Sequence, residues 1–363
     1  MALTLHEDKI KIMLKTIRFA SFNAALNRNQ AGGLITDLST PNNQQAQNVA
    51  EIIQRINPDV LALQEFDYDK GGKALQLFQD NYLRVSQNGA QPIYFKCSYA
   101  VPSNTGIPSG MDLDKDGKTD SPSDALAFGF HPGQYAFAIL SKYPIQWDKI
   151  RTFQKFLWKD MPGARLPKNP ATGEGWYSAT ALEIFRLSSK NHVDVPIEFP
   201  TGIIHILVAH PTPPVFDGDE KRNRRRNFDE IRLFADYITP GKGDYLYDDK
   251  GQKGGLDSAA HFIIMGDMNA DPVEGESSDN AINQLLKHPR LHQQATTHHT
   301  TTWGLRVDYV LPSKKLKVHT SGVFWPDFSE PLYYLVEKKA ETEASSDHRL
   351  VWVDLASLIK LYT

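Results

Sequence analysis

Short apolar segments that each run into polar residues narrow the folds open to this chain more than any other pattern in it. Residues 17–23 (IRFASFN) read as a strand, residues 44–56 have helical periodicity, and residues 60–64 form a second apolar run. Apolar residues spaced three and four apart indicate an amphipathic helix, whereas short runs rich in Val, Ile, Leu and Phe indicate buried strands. A strand–helix–strand unit predicts a layered α/β architecture.

The rest of the chain repeats this alternation. Further strands are predicted at residues 135–140, 179–185, 202–209, 261–265, 306–311 and 350–353, helices at about 224–237 and 279–286, and loops at 163–175 and 241–256, the latter flexible. Residues 99–134 are rich in Gly, Pro, Ser and Asp and predict a long insertion loop. No repeat or linker divides the chain, so we expect one domain over residues 16–357 after an N-terminal extension, residues 1–15.

Composition excludes several classes of protein. A formal charge of −3 argues against charge-driven coating of nucleic acid, although a local basic groove stays open. One cysteine excludes a disulfide framework within a monomer and a thiolate zinc cluster. The sequence contains no apolar run long enough to span a membrane, and the N-terminus lacks the pattern of a signal peptide. Either the protein stays inside the cell or a leader is missing, so its compartment is left open, as is its oligomeric state.

Polar residues that do not contribute to an apolar core stand at the ends of the predicted strands. They occur in six short motifs: Asn23, Gln64-Glu65, His210-Pro211, Gly266-Asp267-Met268-Asn269, Arg306-Val307-Asp308-Tyr309 and Ser346-Asp347-His348. Polar groups at successive strand ends converge on one edge of an α/β protein. Carboxylates, amides and histidines together can bind Mg²⁺ or Mn²⁺, position a water and hold a phosphate. No residue is placed as a covalent nucleophile, which favours direct attack by water.

These six motifs, in this order, resemble the endonuclease/exonuclease/phosphatase superfamily. That superfamily includes pancreatic deoxyribonuclease, AP endonucleases, neutral sphingomyelinases and inositol-polyphosphate 5-phosphatases. The resemblance extends over nearly the whole chain and implies a four-layer α/β sandwich, in which two mostly antiparallel sheets pack face to face with helices outside. It also implies a phosphate-ester substrate and Mg²⁺ or Mn²⁺ as the catalytic metal.

The resemblance assigns three residues to the metal. Glu65 resembles the main metal-binding carboxylate, Asn23 stands beside it, and Asp347 resembles a second acid on the metal side.

The same resemblance assigns five residues to catalysis. Asp267 resembles the residue that orients or deprotonates the attacking water, and Asn269 resembles a phosphate-binding amide. His348 resembles the histidine that contacts the scissile phosphate, oriented by Asp308. His210 resembles the histidine that protonates the leaving group or stabilises the transition state in deoxyribonucleases.

The helix after His210 begins with an arginine-rich run, residues 221–227. Charge runs are usually solvated faces. The apolar stripe of this helix, extended backwards, reaches Arg224 and Asn227, which predicts that both point toward the protein. An inward arginine close to a site histidine suits a phosphate clamp. Arg224-x-x-Asn227 also resembles a pair often found in this helix of the superfamily.

The long insertion contains a pattern typical of calcium loops. Asp112, Asp114, Asp116 and a glycine at 117 fit the first ligand positions of an EF-hand, and Asp120 or Asp124 would have to supply the missing bidentate acid. A solvated acidic turn is the alternative. Bound Ca²⁺ would order the insertion and would suit a location outside the cytoplasm. Such an insertion lies outside the minimal superfamily pattern and resembles an uncharacterised bacterial subgroup.

Three functions remain open from the sequence. The first is hydrolysis of phosphomonoesters or small phosphodiesters, favoured by the acidic chain and the bulky loops around the site. The second is a deoxyribonuclease-like endonuclease, favoured by the pairing of His210 with His348, with nucleic acid as substrate. The third is a calcium-dependent binding module on a degenerate enzyme fold. A sphingomyelinase or 5-phosphatase also stays open, although the chain lacks a membrane-insertion stretch and a polybasic surface.

Overall fold

The computed structural model describes residues 11–292, 298–339 and 342–361. The strands are β1 (Lys11–Leu26), β2 (Val60–Phe66), β3 (Cys97–Val101), β4 (Phe137–Ser141), β5 (Arg151–Thr152), β6 (His192–Phe199), β7 (Gly202–Ala209), β8 (His261–Asp267), β9 (Asp308–Pro312), β10 (Val318–Val323), β11 (Lys338–Lys339), β12 (Thr342–Glu343) and β13 (Val351–Leu361). The α-helices are α1 (Gly33–Leu38), α2 (Gln44–Ile56), α3 (Lys73–Phe78), α4 (Ala179–Leu182), α5 (Arg222–Ile238) and α6 (Asn283–Leu286).

Two large sheets carry the fold. One has six strands in the order β10-β13-β1-β2-β4-β3, and the other has five in the order β5-β6-β7-β8-β9. The pairs β1–β2 and β7–β8 are parallel, and the other pairs in these two sheets are antiparallel. Strands β11 and β12 form a separate small hairpin.

Three apolar cores separate four layers. One core lies between the sheets and includes Phe19, Val208 and Met265. A second joins the six-stranded sheet to α1, α2 and α3, and a third joins the five-stranded sheet to α5 and α6. The predicted four-layer α/β sandwich, with mostly antiparallel sheets and helices outside, is therefore confirmed. No helix in the described part of the chain is long and apolar enough to cross a membrane.

Alternation along the strands decides where the polar strand ends point. In β1, Ile17 and Phe19 face the core between the sheets, whereas Ala20 and Phe22 face the helices. Asn23 has the parity of Ile17 and Phe19, because successive side chains of a strand point to opposite faces. The same count places three more site residues at the end of the layer between the sheets: His210 after β7, Asp267 in β8 and Asp308 in β9. The interior of the sandwich therefore opens into a polar end.

Gly266 allows the two central strands of the five-stranded sheet to approach at this end. Its φ is +146°, and a Cβ there would lie 2.0 Å from the carbonyl oxygen of Ala209. A larger residue would push apart the strands that carry His210 and Asp267.

Two predicted elements differ from the observed ones, and one long strand was not predicted. Residues 179–185 are not a strand, because the Ser178 side chain accepts a hydrogen bond from the Ala181 amide and starts helix α4. The helix predicted at 279–286 is a 3₁₀ turn over Ser278–Asn280, interrupted by Asp279 at φ 48°, followed by the short α6. Strand β6 was not predicted because Asp194 interrupts its apolar pattern. That carboxylate is buried and accepts hydrogen bonds from Tyr237 and His205.

The insertion is more ordered and more buried than its composition suggests. Residues 99–101 belong to edge strand β3, so the loop begins later than predicted. Beyond it, Asn104 is fully buried and donates to the carbonyl oxygens of Gln154 and Ser188, both at 2.7 Å. Gln134 is also buried and donates to the carbonyl of Arg28. The insertion therefore packs as a polar but internally bonded layer.

The loop over residues 241–256 is tied down, contrary to the expectation of a flexible segment. The guanidinium of Arg151 donates to Asp248 and to the carbonyl oxygens of Gln252 and Gly254, all at 2.9 Å.

At the N-terminus, residues 11–15 of the predicted extension form the first part of β1, and residues 1–10 lie outside the described residues. The domain bounds 16–357 stay a prediction.

Candidate active site

Two carboxylates and one amide meet at the carboxyl ends of β1, β2 and β8. The Asn23 side-chain nitrogen donates to Glu65 Oε1 and to Asp267 Oδ2, both at 3.1 Å. Asn23 Oδ1 accepts from the Ala25 amide, which fixes this orientation of the side chain. The other Glu65 oxygen accepts from Asn27 at 2.7 Å. The two carboxylates thus accept from the same nitrogen. A bound cation could replace that hydrogen-bond donor between them.

The backbone is strained where these groups converge. Glu65 and Asn269 have positive φ values, 53° and 50°, a conformation uncommon outside glycine. For Glu65 this rotation breaks the strand alternation and brings the carboxylate to the end of the sandwich. Strained residues of this kind cluster at functional sites, where the surrounding structure maintains them.

His348 and Asp308 form a buried pair beside these acids. His348 Nδ1 donates to Asp308 Oδ2 at 2.9 Å, because an ionised carboxylate only accepts. The hydroxyl of Thr300 accepts from the Asp308 amide and holds the start of β9. The other imidazole nitrogen, Nε2, lies 3.7 Å from Asp267 Oδ2. Burial opposes protonation, but the charges of Asp308 and Asp267 raise the pKa of His348 well above its usual value.

His210 approaches Asp267 from the five-stranded sheet. Its Nε2 lies 3.4 Å from Asp267 Oδ2, and its Nδ1 is buried without a hydrogen-bond partner among the described residues. Burial and the neighbouring Lys190 lower the pKa of His210, although Asp267 opposes this. The two histidines therefore differ in charge: His348 favours the protonated form and His210 the neutral form.

Asp267 is the centre of the cluster. Burial acts to raise its pKa, but His348, His210 and the Asn269 amide together hold the pKa below the usual range of an aspartate. The Asn269 amide donates to Asp267 Oδ1 at 2.8 Å, and the Asn269 side chain donates to the Pro211 carbonyl at 3.1 Å. An ionised, fully buried carboxylate between two imidazoles suits the handling of a metal or of a reacting water.

Comparison with known proteins supports a family assignment. A model of the endonuclease/exonuclease/phosphatase family matches residues 20–348. The chain belongs to this family. Members of the endonuclease/exonuclease/phosphatase family are generally metal-dependent hydrolases that act on phosphoester bonds, and they include nucleases and phosphatases. No curated protein matches the sequence.

Solved structures resemble the chain in fold. An endonuclease/exonuclease/phosphatase from Beutenbergia cavernae is 14% identical and has a TM-score of 0.51, with 94% of this chain and 71% of that chain covered. A family protein from Leptotrichia buccalis is 14% identical with a TM-score of 0.48, covering 93% and 99%. An AP endonuclease from Archaeoglobus fulgidus is 12% identical with a TM-score of 0.46, covering 93% and 98%. At such identities the likeness shows the fold alone.

Two sets of side chains at this end could hold the divalent metal that the family commonly uses. Asp267, Asp308 and His348 offer ligand atoms within 4.8 Å of one another. The hydrogen bond between His348 and Asp308 accounts for part of that closeness. Glu65 and Asp267, which share the Asn23 donor, fit a hard cation better because both offer carboxylate oxygens, whereas Asp308 and His348 are hydrogen-bonded to each other. Asp347, predicted as a further metal acid, lies at the edge of the site and accepts the Thr302 amide through its carbonyl.

Arg224 and Asn227 occupy different environments. Arg224 pairs with Asp217 at 3.1 Å and Glu276 at 2.9 Å, so two carboxylates already hold the predicted phosphate clamp. Asn227 is fully buried and donates to the carbonyl oxygens of Thr212 and Met268, thereby joining the loops that follow His210 and Asp267. The phosphate-binding role of both stays a prediction, and the geometry of Asn227 is that of a positioning residue.

The acidic loop of the insertion brings together three of its four predicted ligands. Asp112, Asp114 and Asp116 offer oxygens within 4.8 Å of one another, and Asp120 is not in this group. Asp124 is excluded as the missing bidentate ligand, because its two oxygens accept from Leu113 and from Ser121. Binding of Ca²⁺ here stays a prediction.

Three residues near the site were not singled out from the sequence. Asn27, four residues after Asn23, binds Glu65, and this spacing was a usable signal. Lys190 is 5% exposed, and the charges of Glu65 and Asp267 act on its ammonium group. It precedes β6, so it could be found only after that strand was known. The ring of Trp303 meets the His348 ring edge-on at 5.1 Å, which shields the imidazole from solvent.

A groove and a cavity border the site. The groove, of about 1280 Å³, is lined by Trp303, Asp347 and mostly uncharged polar residues of α2 and of the segment before β13. Its charged lining residues in the described chain are Lys338, Glu343 and Asp347. A cavity of about 480 Å³ lies on the other side, between the insertion and the loop after His210.

Proposed function

We infer that this protein is a metal-dependent phosphoesterase that hydrolyses phosphomonoesters or small phosphodiesters by direct attack of an activated water. One observation carries the proposal: Asn23, His210 and His348 all surround a single ionised oxygen, Oδ2 of Asp267, and Glu65 accepts from the same Asn23 nitrogen. Structural residues are not arranged this way, because burying acids and imidazoles together is unfavourable unless they are paired or bind a ligand.

The residues can divide the reaction among them. A divalent cation bound at Glu65 and Asp267 would make a water more acidic and would polarise a phosphoryl oxygen. Asp267 accepts the proton of the attacking water or orients that water, and protonated His348 donates from Nε2 to a non-bridging oxygen. Asp308 fixes the tautomer of His348. Neutral His210 stabilises the transition state or, when protonated, supplies the leaving oxygen with a proton.

The two hydroxyls closest in sequence or contact to His348 and Asp308, those of Ser346 and Thr300, do not compete with water as nucleophiles. Ser346 Oγ donates to the Asn23 carbonyl and accepts from the His348 amide. Thr300 Oγ1 accepts from two backbone amides of the strand entry. Both hydroxyls hold the backbone, which supports direct hydrolysis without a covalent intermediate.

Charge in the groove favours a small substrate. A nuclease needs cations along the path of the phosphate backbone, whereas the described groove lining has one lysine against two acids. A deoxyribonuclease-like endonuclease remains the second candidate because both His210 and His348 are in place. The calcium-dependent binding module is the weakest candidate, since nothing in that function would need the buried acids and imidazoles.

We also propose Mg²⁺ or Mn²⁺ as the catalytic metal and Ca²⁺ as the ion of the insertion loop. Oxygen ligands at both places support hard cations. In the loop, the Gly117 amide donates to Asp112 and the Asp116 amide to Asp114, which folds the three acids around one point.

The proposal is tested by measuring hydrolysis of monoesters, bis-p-nitrophenyl phosphate, plasmid DNA, RNA and phospholipid with Mg²⁺, Mn²⁺, Ca²⁺ or EDTA. We expect small esters to be hydrolysed with Mg²⁺ or Mn²⁺, and Asp267→Asn or His348→Ala to lower kcat by about 100- to 10 000-fold. Asp148→Asn and His319→Ala, at exposed positions, are the matched controls. Unchanged rates in both site variants would contradict the mechanism, and rapid DNA cleavage would favour the nuclease.

A further inference from the structure

The cavity of about 480 Å³ is built from four segments of the chain, one of which carries Tyr177 and Phe185. Phe128 and Tyr135 come from the insertion and its end, Thr212 and Phe216 from the loop after His210, and Arg226 from the second turn of α5. Its size falls within the range of small-molecule sites, about 300 to 1000 Å³. Neither the family motifs nor the proposed chemistry requires it.

Aromatic rings dominate the walls. Tyr177 and Phe185 stack with ring centroids 4.5 Å apart, and both line the cavity. At the rim, Phe216 is 88% exposed and Phe128 is 52% exposed. The backbone of Phe216 has φ 58°, an unfavourable conformation for a bulky residue. Exposed aromatic side chains around an apolar cavity mark a surface for a ligand rather than a core.

The charged groups in the cavity are positive. Arg222 and Arg226 line it, and no acid does among the described residues. Arg226 is held in place, since its Nε and Nη2 donate to the carbonyls of Leu187, Leu126 and Arg186 at 2.9 Å. The Thr212 hydroxyl is buried and has no hydrogen-bond partner in the described structure. An unpaired buried hydroxyl is unfavourable unless a ligand completes it.

The cavity adjoins the reacting centre on two sides. Thr212 is two residues from His210, and the Asn269 side chain donates to the carbonyl of the intervening Pro211 at 3.1 Å. On the other side, the Tyr135 amide donates to Asp67, two residues after Glu65, at 3.1 Å. The cavity therefore lies next to the segments that carry the reacting residues, where a ring of the substrate would be near a phosphate bound at Asn269 and His348.

We propose that the cavity binds a planar aromatic ring of the substrate, and that the enzyme selects phosphate esters carrying such a ring, of up to nucleoside size. The aromatic walls can stack on such a ring. An acceptor on the ring edge would take the hydrogen bond that the Thr212 hydroxyl has free, near the two arginines. The inference rests on the proposed phosphoesterase function. A nucleoside and a simple aryl group share this chemistry, so both are included in the test.

The test compares esters that differ only in the ring. Adenosine 5′-monophosphate is paired with ribose 5-phosphate, and 2-phenylethyl phosphate with ethyl phosphate, because each pair has the same type of leaving alcohol. If only diesters are hydrolysed, the methyl diesters of the same four compounds are used. We expect kcat/KM to be at least about tenfold higher for the ring-bearing member of one or both pairs, as for one stacked base.

Variants connect the preference to the cavity. Phe216→Ala is expected to reduce the ratio of kcat/KM within the preferred pair about tenfold, and Thr212→Val to reduce it for adenosine 5′-monophosphate more than for the aryl ester. Phe328→Ala is the matched control, because Phe328 is 80% exposed and does not line the cavity. Equal kcat/KM within both pairs, or a preference untouched by Phe216→Ala, would overturn the inference.

Failure of the proposed function gives a different result. If no ester is hydrolysed with any metal, the phosphoesterase proposal fails, and the cavity is then tested by calorimetry with adenosine, ribose and 2-phenylethanol. Binding of a ring compound that Phe216→Ala weakens about tenfold would support the cavity on its own. Absence of binding by both ring compounds would contradict the proposed ring-binding role of the cavity.

Discussion

At the scale of single residues, the site depends on charges that are buried together. Asp267 is acidic because two imidazoles and an amide surround it, and His348 stays protonated because two carboxylates surround it. The charge state of each group depends on the others, so it cannot be assigned to a single residue from the sequence alone. Lys190 is a buried amine at the same end of the molecule: burial lowers its pKa, and the charges of Glu230, Glu65 and Asp267 oppose this and favour the ammonium form.

Replacement of Lys190 tests whether this cation serves the substrate. Lys190→Met is expected to lower kcat/KM for a phosphate ester by about 10- to 100-fold, because an anionic substrate loses a buried charge partner. Lys149→Met, at an exposed lysine, is the matched control. Steady-state kinetics at constant ionic strength measure the effect, and a thermal melt establishes that the variant is folded. A folded Lys190→Met enzyme with wild-type kcat/KM would show that the charge is only structural.

His192 predicts how stability depends on pH. Burial lowers its pKa to about 4, and its ring is held by Ser188 at 2.7 Å and by the Glu230 carbonyl at 2.9 Å. In the unfolded chain a histidine titrates near pH 6.5. The unfolded state therefore binds more protons between these two values, so the stability contributed by neutral His192 is complete above pH 6.5 and is lost as the pH falls toward 4.

The size of this stability loss follows from the pKa shift of His192. Between pH 7 and pH 5 the wild-type protein is expected to lose about 2 kcal/mol more unfolding free energy than His192→Gln, which cannot titrate. Urea unfolding at the two pH values measures this difference. The same loss in both proteins would mean that His192 does not carry it.

At the scale of elements, the insertion shapes the candidate site and the cavity beside it as much as the strands do. Its acidic loop carries Leu113, which packs into the core beside α5 and whose carbonyl accepts from Trp176 at 2.9 Å. Leu113 also lines the aromatic cavity. Ordering of the acidic loop by Ca²⁺ would therefore fix one wall of that cavity.

Calcium binding has a measurable consequence for stability. Saturating Ca²⁺ is expected to raise the melting temperature by about 3 to 4 °C, since a ligand at 100 times its Kd stabilises the native state by about 2.7 kcal/mol. The measurement is made in an Asp267→Asn background to remove the catalytic metal. Asp114→Asn should abolish the rise, whereas Asp120→Asn, outside the clustered acids, should keep it. A rise that survives Asp114→Asn would place the calcium elsewhere.

Some elements were predicted accurately and others were not, and particular residues explain the difference. Helix α2 was predicted within its observed bounds because its apolar stripe, the Asn43 cap and the left-handed Asn57 all agree. Strand β6 escaped because its polar residues find partners on β7 and α5, far away in sequence. In α5 the apolar stripe pointed to Arg224, whereas the deeply buried arginine is Arg226. The insertion covers that side of the helix, which its own periodicity could not reveal.

At the scale of the whole molecule, the sequence by itself determined the layered α/β class, the six motifs and the chemistry of their side chains. The positions of Asn23, Asp267 and Asp308 at or near strand ends were enough to predict that they converge on one edge of the fold. Tertiary structure decided the rest: which oxygen the histidines share, the addition of Asn27 and Lys190, and the aromatic cavity beside them. The physical reason is that periodicity is local, whereas burial, pKa shifts and cavities depend on residues brought together from distant parts of the chain.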